Sequence, residues 1–222
     1  MDDKLDKFED TQMTTTTTTQ LQTPLSSIAK AFEGLSEFLR CRRKDQELRL
    51  DTFCDACSLV SVLFSCLGLA FKFAELEYVA KVRDLVEASQ GLKTLQNILD
   101  HDTANDTVKT PGSHSRNLRR VRQGLDLIRA LFEEFLSNDE HSLKDAASTA
   151  YAQVCAPYHS WAVRTAVYAG MCTLPTRDQL LLRLNETDHS AEKKMRRYIN
   201  ASGPVIDYID KLYLSRNISL DW

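Results

Sequence analysis

Apolar residues recur three and four positions apart along most of this chain, the pattern of helices that each bury one face. In "TPLSSIAKAFEGLSEFL", Ile28, Phe32, Leu35 and Leu39 fall on one stripe. Thr23 is a candidate N-cap and Pro24 occupies the first helical position, so a helix starts there. "CRRKDQELRL" is a charged connector. Residues 50–89 predict a long helix with room for a break. Within it, residues 56–71, "ACSLVSVLFSCLGLAF", carry no charge. A membrane span needs about 20 such residues. Asp55 and Lys72 close the run short of that, so the pattern predicts a helix buried on all sides within a sizeable fold. "GLKTLQNILDHD" predicts a short helix and "NDTVKTPGS" a loop. A helix from about 113 to 138 follows, then one or two helices interrupted near Pro157. "TRDQLLLRLN" predicts another, and a last long helix runs through the strained pair Gly203-Pro204. No stretch alternates as a strand does and no segment repeats, so one all-α domain is expected.

One region falls outside that pattern. Residues 1–22, with "TQMTTTTTTQLQ", are too polar to offset their ordering entropy and are expected to be a disordered Thr-rich tail, leaving 23–222 as the folded domain. The scarcity of turn formers, seven Gly and five Pro in 222 residues, argues against a many-stranded sandwich or barrel. A net charge of -3 gives no global attraction to nucleic acid, so any basic site must be local. "SRNLRRVR" is such a patch, but it lacks interleaved aromatics, and no nucleic-acid partner is expected. The acidic "MDDKLDKFED" has no apolar core of a secretory signal. The six cysteines are accordingly expected to be reduced thiols in a cytoplasmic protein. Cys54 and Cys57 have the spacing of half a zinc site, but without a second pair or a His cluster they read as buried thiols, and no metal or cofactor is expected. No nucleophile elbow, H-E-x-x-H or Gly-rich phosphate loop is present, so the chain does not read as an enzyme.

The candidate chemistry lies in "SHSRNLRRVRQGLDLIRALFEEFL", which holds Arg116, Arg119, Arg120, Arg122 and Arg129. At about 100° per residue, Leu118, Val121, Leu125, Ile128 and Phe132 form a core stripe. Arg119, Arg122 and Arg129 are expected on a solvated face. Arg116 and Arg120 share the sector opposite the core, which continues through Gly124 to Leu127 and Leu131. One reading is a pocket with a cationic mouth and a greasy interior, fitted to an anionic amphiphile whose phosphate the guanidinium fork can grip. The other is a pair of solvent charges matched to nearby acids. Glu77 and Lys81 have the i,i+4 order of a surface ion pair worth about 0.3–0.5 kcal/mol. His159, between Tyr158 and Trp161, also reads as an ordinary core or cap histidine.

Three stretches taken together resemble the glycolipid transfer protein family. They are "FCDACSLVSVLFSCLGLAFKFAELEYVAKVRDLV", "GSHSRNLRRVRQGLDLIRALFEEFL" and "SLKDAASTAYAQVCAPYHSWAVRTAVYAGMCTLPTR". The likeness runs from about residue 25 to the C-terminus. It implies a two-layer all-helical sandwich with an interior apolar lipid pocket and a head-group site at the surface. By resemblance, Glu77 occupies the position of the acidic residue that engages the lipid amide and hydroxyl. Relatives carry Asp there, and Glu moves the carboxylate by about a bond length. Lys81 replaces an Asn suited to sugar hydroxyls, and Arg120 replaces a Trp that stacks on sugar. Both replacements imply a phosphate head. Arg116 completes the cationic cradle, His159 matches the histidine that binds the acyl-amide oxygen, and Trp161 matches a packing tryptophan.

The resemblance therefore implies non-vesicular transfer between membranes of ceramide-1-phosphate or phytoceramide-1-phosphate, with transient peripheral membrane contact. The alternative is a sphingolipid sensor or adaptor that regulates cell death through protein partners not yet identified. Trp222 reads equally as a membrane-docking aromatic or as a packing plug.

Overall fold

The computed structural model describes residues 22–43, 45–68, 71–137 and 142–222. The expected Thr-rich tail lies outside these except for its last residue. The described residues form nine α-helices: α1 (Pro24–Cys41), α2 (Leu50–Leu67), α3 (Lys72–Ala88), α4 (Leu95–Ala104), α5 (His114–Ser137), α6 (Leu143–Val154), α7 (Trp161–Met171), α8 (Arg177–Leu184) and α9 (Asp188–Leu214). A 3₁₀ turn, Ala156–Tyr158, separates α6 from α7 at the predicted proline. The only β pairing among the described residues is an isolated bridge between Arg49 and Thr94.

Local chemistry explains where these helices start and stop. The Thr23 hydroxyl accepts from the Ser26 N–H at 3.3 Å and caps α1. Thr94 with Asn97, Thr176 with Gln179 and Thr187 with Ser190 form reciprocal capping boxes for α4, α8 and α9. The 50–89 segment breaks at Gly68, whose φ of 101° is disfavoured for a residue with a Cβ. Arg183 then donates to the Cys66 carbonyl at 2.8 Å, satisfying one of the acceptors that the end of α2 exposes. The cap of α5 comes from another helix: Asp102, buried on α4, accepts from the Ser115 N–H at 2.7 Å. Burial alone would raise the Asp102 pKa, but the bonds from Ser115 and His101 outweigh it and hold the carboxyl below its usual range. α9 stays helical through Pro204.

Packing centres on α5, which lies against α3, α4, α6 and α9, while α1 packs on α2 and α9. Its predicted core stripe, Leu118, Val121, Leu125, Ile128 and Phe132, is fully buried. Two buried tyrosines of α9 tie the helices together: Tyr198 donates to the Leu125 carbonyl at 3.1 Å and Tyr213 to the Ser115 carbonyl at 2.5 Å.

Three expectations fail. α2 is not buried on all sides, because Leu59 and Val62 face outward. Arg119 is not solvated but buried, donating to the Leu220 carbonyl at 2.8 Å. Arg122 grips Asp210 with two bonds, at 2.8 and 2.5 Å, and reaches Asp126 at 2.7 Å. Trp222 settles as packing. Its ring stands edge-on to Tyr213 at 6.2 Å, and its N–H donates to the Ser219 carbonyl at 2.6 Å.

Candidate functional site

A cavity of about 650 Å³ opens between α3, α5 and α7. Its interior is apolar, walled by Phe64 and Leu67 of α2, Leu127 and Leu131 of α5, and Val167 and Met171 of α7. These include the leucines that follow Arg120 on its helical sector. Glu77, Lys81, Arg120 and His159 line the same cavity, so four of the five proposed head-group residues converge on it. They arrive on three separate elements: two from α3, one from α5 and one from the turn before α7. Arg116 does not line the cavity. It sits a turn nearer the start of α5 and donates to the Lys109 carbonyl at 2.5 Å.

Lys81 pairs with Glu77 at 2.9 Å, the local ion pair that the i,i+4 spacing predicts. Arg120 is different. It has no carboxylate within 4.0 Å among the described residues, and its Nη1 donates at 2.9 Å to the side-chain oxygen of Gln123. Burial, then the charges of Arg116 and Arg119, draw the Arg120 pKa below its usual value. Such a group, still cationic at neutral pH, is stabilised by any anion that enters. The His159 pKa is also depressed, by burial first and by Arg120 second, which favours the neutral imidazole. Its Nδ1 lies 2.8 Å from the Tyr151 hydroxyl, which fixes the ring orientation. Burial pushes the Cys155 thiol, which also lines the cavity, up to about 12, so it remains protonated.

Two supporting residues escaped the sequence reading. Gln123 is buried, accepts from Arg120 and donates from Nε2 to the Val154 carbonyl at 3.0 Å, bracing α5 against the end of α6. Its i,i+3 spacing from Arg120 was the available signal. Tyr151 holds His159, and only their eight-residue separation across a proline hinted at it. The Trp161 reading also changes. Trp161 is 75% exposed, and it stands two residues from His159 rather than packing in the core. Phe73 and Leu76, near Glu77 on α3, are 83% and 55% exposed.

A helical fold enclosing an apolar cavity with cations at its mouth defines a binding protein for lipids with anionic heads. The family model described as "Glycolipid transfer protein (GLTP)" matches residues 48–186, and the chain belongs to the glycolipid transfer protein family. It is 68% identical to the "ACD11 homolog protein" of Arabidopsis thaliana, over 98% of this chain and 96% of the relative. It is 48% identical to "Accelerated cell death 11" of the same plant, over 90% of this chain and 96% of the relative. A crystal structure of an Arabidopsis ACD11 mutant complexed with C12 ceramide-1-phosphate superposes with a TM-score of 0.86 at 48% identity, covering 90% of this chain and 98% of that one. The all-α sandwich is thus the fold of this family, whose proteins are lipid transfer proteins.

Proposed function

We propose that this protein lifts a ceramide-1-phosphate-like sphingolipid out of one membrane, carries it in the cavity and delivers it to another. The observation that carries this reading is Arg120: half-buried, without a carboxylate partner among the described residues, and set directly above an apolar cavity. A phosphomonoester brings up to about two negative charges. Lys81, Arg120 and Arg116 then supply charge-assisted bonds worth roughly 1.5–3 kcal/mol each. Arg116 joins them by turning from the Lys109 carbonyl. The hydrocarbon chains gain about 0.8 kcal/mol per CH₂ sheltered. Glu77 receives the amide N–H and hydroxyl of the lipid, and neutral His159 binds the acyl-amide oxygen. No covalent step is needed, and the lipid leaves unchanged.

Exposed Trp161, Phe73 and Leu76 support a transient membrane contact, since bare aromatic and aliphatic side chains can enter the lipid interface, and Phe73 also lines the cavity. Six free cysteines, several of them buried, support a reducing, cytoplasmic setting. The test is transfer between vesicles of ceramide-1-phosphate, sphingomyelin and glucosylceramide in parallel. Ceramide-1-phosphate is expected to move fastest. Equal transfer of glucosylceramide would overturn the assignment. The cell-death names of the relatives favour a second reading, a lipid sensor acting through protein partners. Tight binding without transfer would support that one.

A further inference from the structure

A close contact between α3 and α5 lies about one helical turn from Lys81 and Arg120. Gly124 follows Arg120 by four residues, and Tyr78 precedes Lys81 by three, so this pair sits on the same faces as the two cations. A Cβ built on Gly124 would stand 2.8 and 2.9 Å from Cδ2 and Cε2 of Tyr78. That is about 0.6 Å inside the 3.4 Å at which ordinary contact begins. The ring has no easy retreat. Tyr78 is buried, its hydroxyl donates to the Cys57 carbonyl at 3.1 Å, and its ring packs against Phe64 at 5.2 Å between centroids. Glycine destabilises a helix interior relative to alanine. Gly34 in α1 has nothing within 4 Å of its own virtual Cβ, so that glycine serves no close approach.

We propose that Gly124 is a specificity-determining residue: its bare backbone lets α3 close on α5, so that Lys81 and Arg120 reach one phosphate together. The inference rests on the reading of the cavity as a phosphate-headed sphingolipid site. A side chain at 124 would move α3 outward by roughly the missing 0.6 Å. Charge-assisted bonds of about 2.8 Å would then lengthen to roughly 3.4 Å and weaken. Gly124 and Tyr78 also line the cavity, so the methyl intrudes there as well, a loss that a lipid with the same chains and no phosphate shares equally. The further loss at the head group is transmitted through Tyr78 and α3.

The experiment measures binding of C12 ceramide-1-phosphate and of C12 ceramide, which has the same chains but no phosphate, to the full chain. Gly124→Ala is expected to weaken ceramide-1-phosphate binding by about tenfold or more and to leave ceramide within about threefold, flattening the salt dependence. Gly34→Ala is expected to change neither. Equal losses for both lipids would mark ordinary core packing and overturn the proposal, as would no loss for either. Should Gly124→Ala fail to fold, the double variant Gly124→Ala/Tyr78→Leu is read instead, because the leucine can rotate off the new methyl. A wild-type preference for phosphate in the double variant supports the contact, and its absence overturns it. A native protein with no preference for the phosphate-headed lipid would instead overturn the underlying function.

Discussion

The two ends of α5 use the same residue for opposite purposes. In its middle and later turns, Arg122 and Arg129 are neutralised by carboxylates: Arg122 by Asp126 and Asp210, Arg129 by Asp126 and Glu133 at 3.1 and 2.7 Å. At its start, Arg116, Arg119 and Arg120 have no carboxylate within 4.0 Å among the described residues. They satisfy themselves on a Lys109 carbonyl, a Leu220 carbonyl and the Gln123 amide. Arg119 is the extreme case, buried with Nε and Nη1 unpartnered and the Tyr158 ring 5.7 Å away. A buried cation without a counter-ion costs stability. The later arginines are held by ion pairs within the fold, whereas the early ones have only neutral oxygens as hydrogen-bond partners among the described residues. The difference is in their partners, since the residue type and the helix are the same.

The sharpest way to break this comparison is Arg120→Glu, which should reduce ceramide-1-phosphate transfer between vesicles about 100-fold or more. The melting temperature should move little, since no ion pair is lost. Undiminished transfer would remove Arg120 from the site. Next is Arg122→Ala, expected to destabilise by about 3 kcal/mol in denaturant unfolding because Asp210 loses its partner in a half-dry setting. Its preference among head groups should survive, and loss of that preference would erase the distinction between the two ends. A smaller effect is expected from Gln123→Leu, which frees Arg120 and strands the Val154 carbonyl. Stability should fall by about 1–2 kcal/mol and ceramide-1-phosphate affinity by about three- to tenfold. An unchanged affinity would mean that Arg120 needs no brace.

The smallest is a pH effect. Burial and Arg120 lower the His159 pKa in the fold, so the unfolded chain takes up a proton first as pH falls. The His159 contribution to stability is therefore present above about pH 6.5 and is lost as pH drops through the folded value. His159→Gln should flatten the dependence of unfolding free energy on pH between 7 and 5. An unaltered slope would place the proton elsewhere.

The helices, the Thr23 cap of α1, a break in the 50–89 segment and the α5 core stripe were all legible in the chain. Each depends on residues within a few positions of one another, where periodicity and capping chemistry operate. The Glu77–Lys81 pair was legible for the same reason. The family resemblance carried the remaining head-group residues, and the cavity brings four of the five together, leaving Arg116 a turn away. What pattern alone could not reach were interactions between residues far apart in the chain. Arg119 finds its acceptor 101 residues later, and Arg122 finds Asp210 88 residues later. Both looked solvated because a charge next to a core stripe is solvated unless a distant partner covers it. Trp161 and the outward face of α2 misled in the opposite sense, since an apolar side chain is buried only where another element arrives to cover it. Local free energies decide which segments are helical. Which charges stay unpaired and which apolar groups stay bare is decided by how the helices meet.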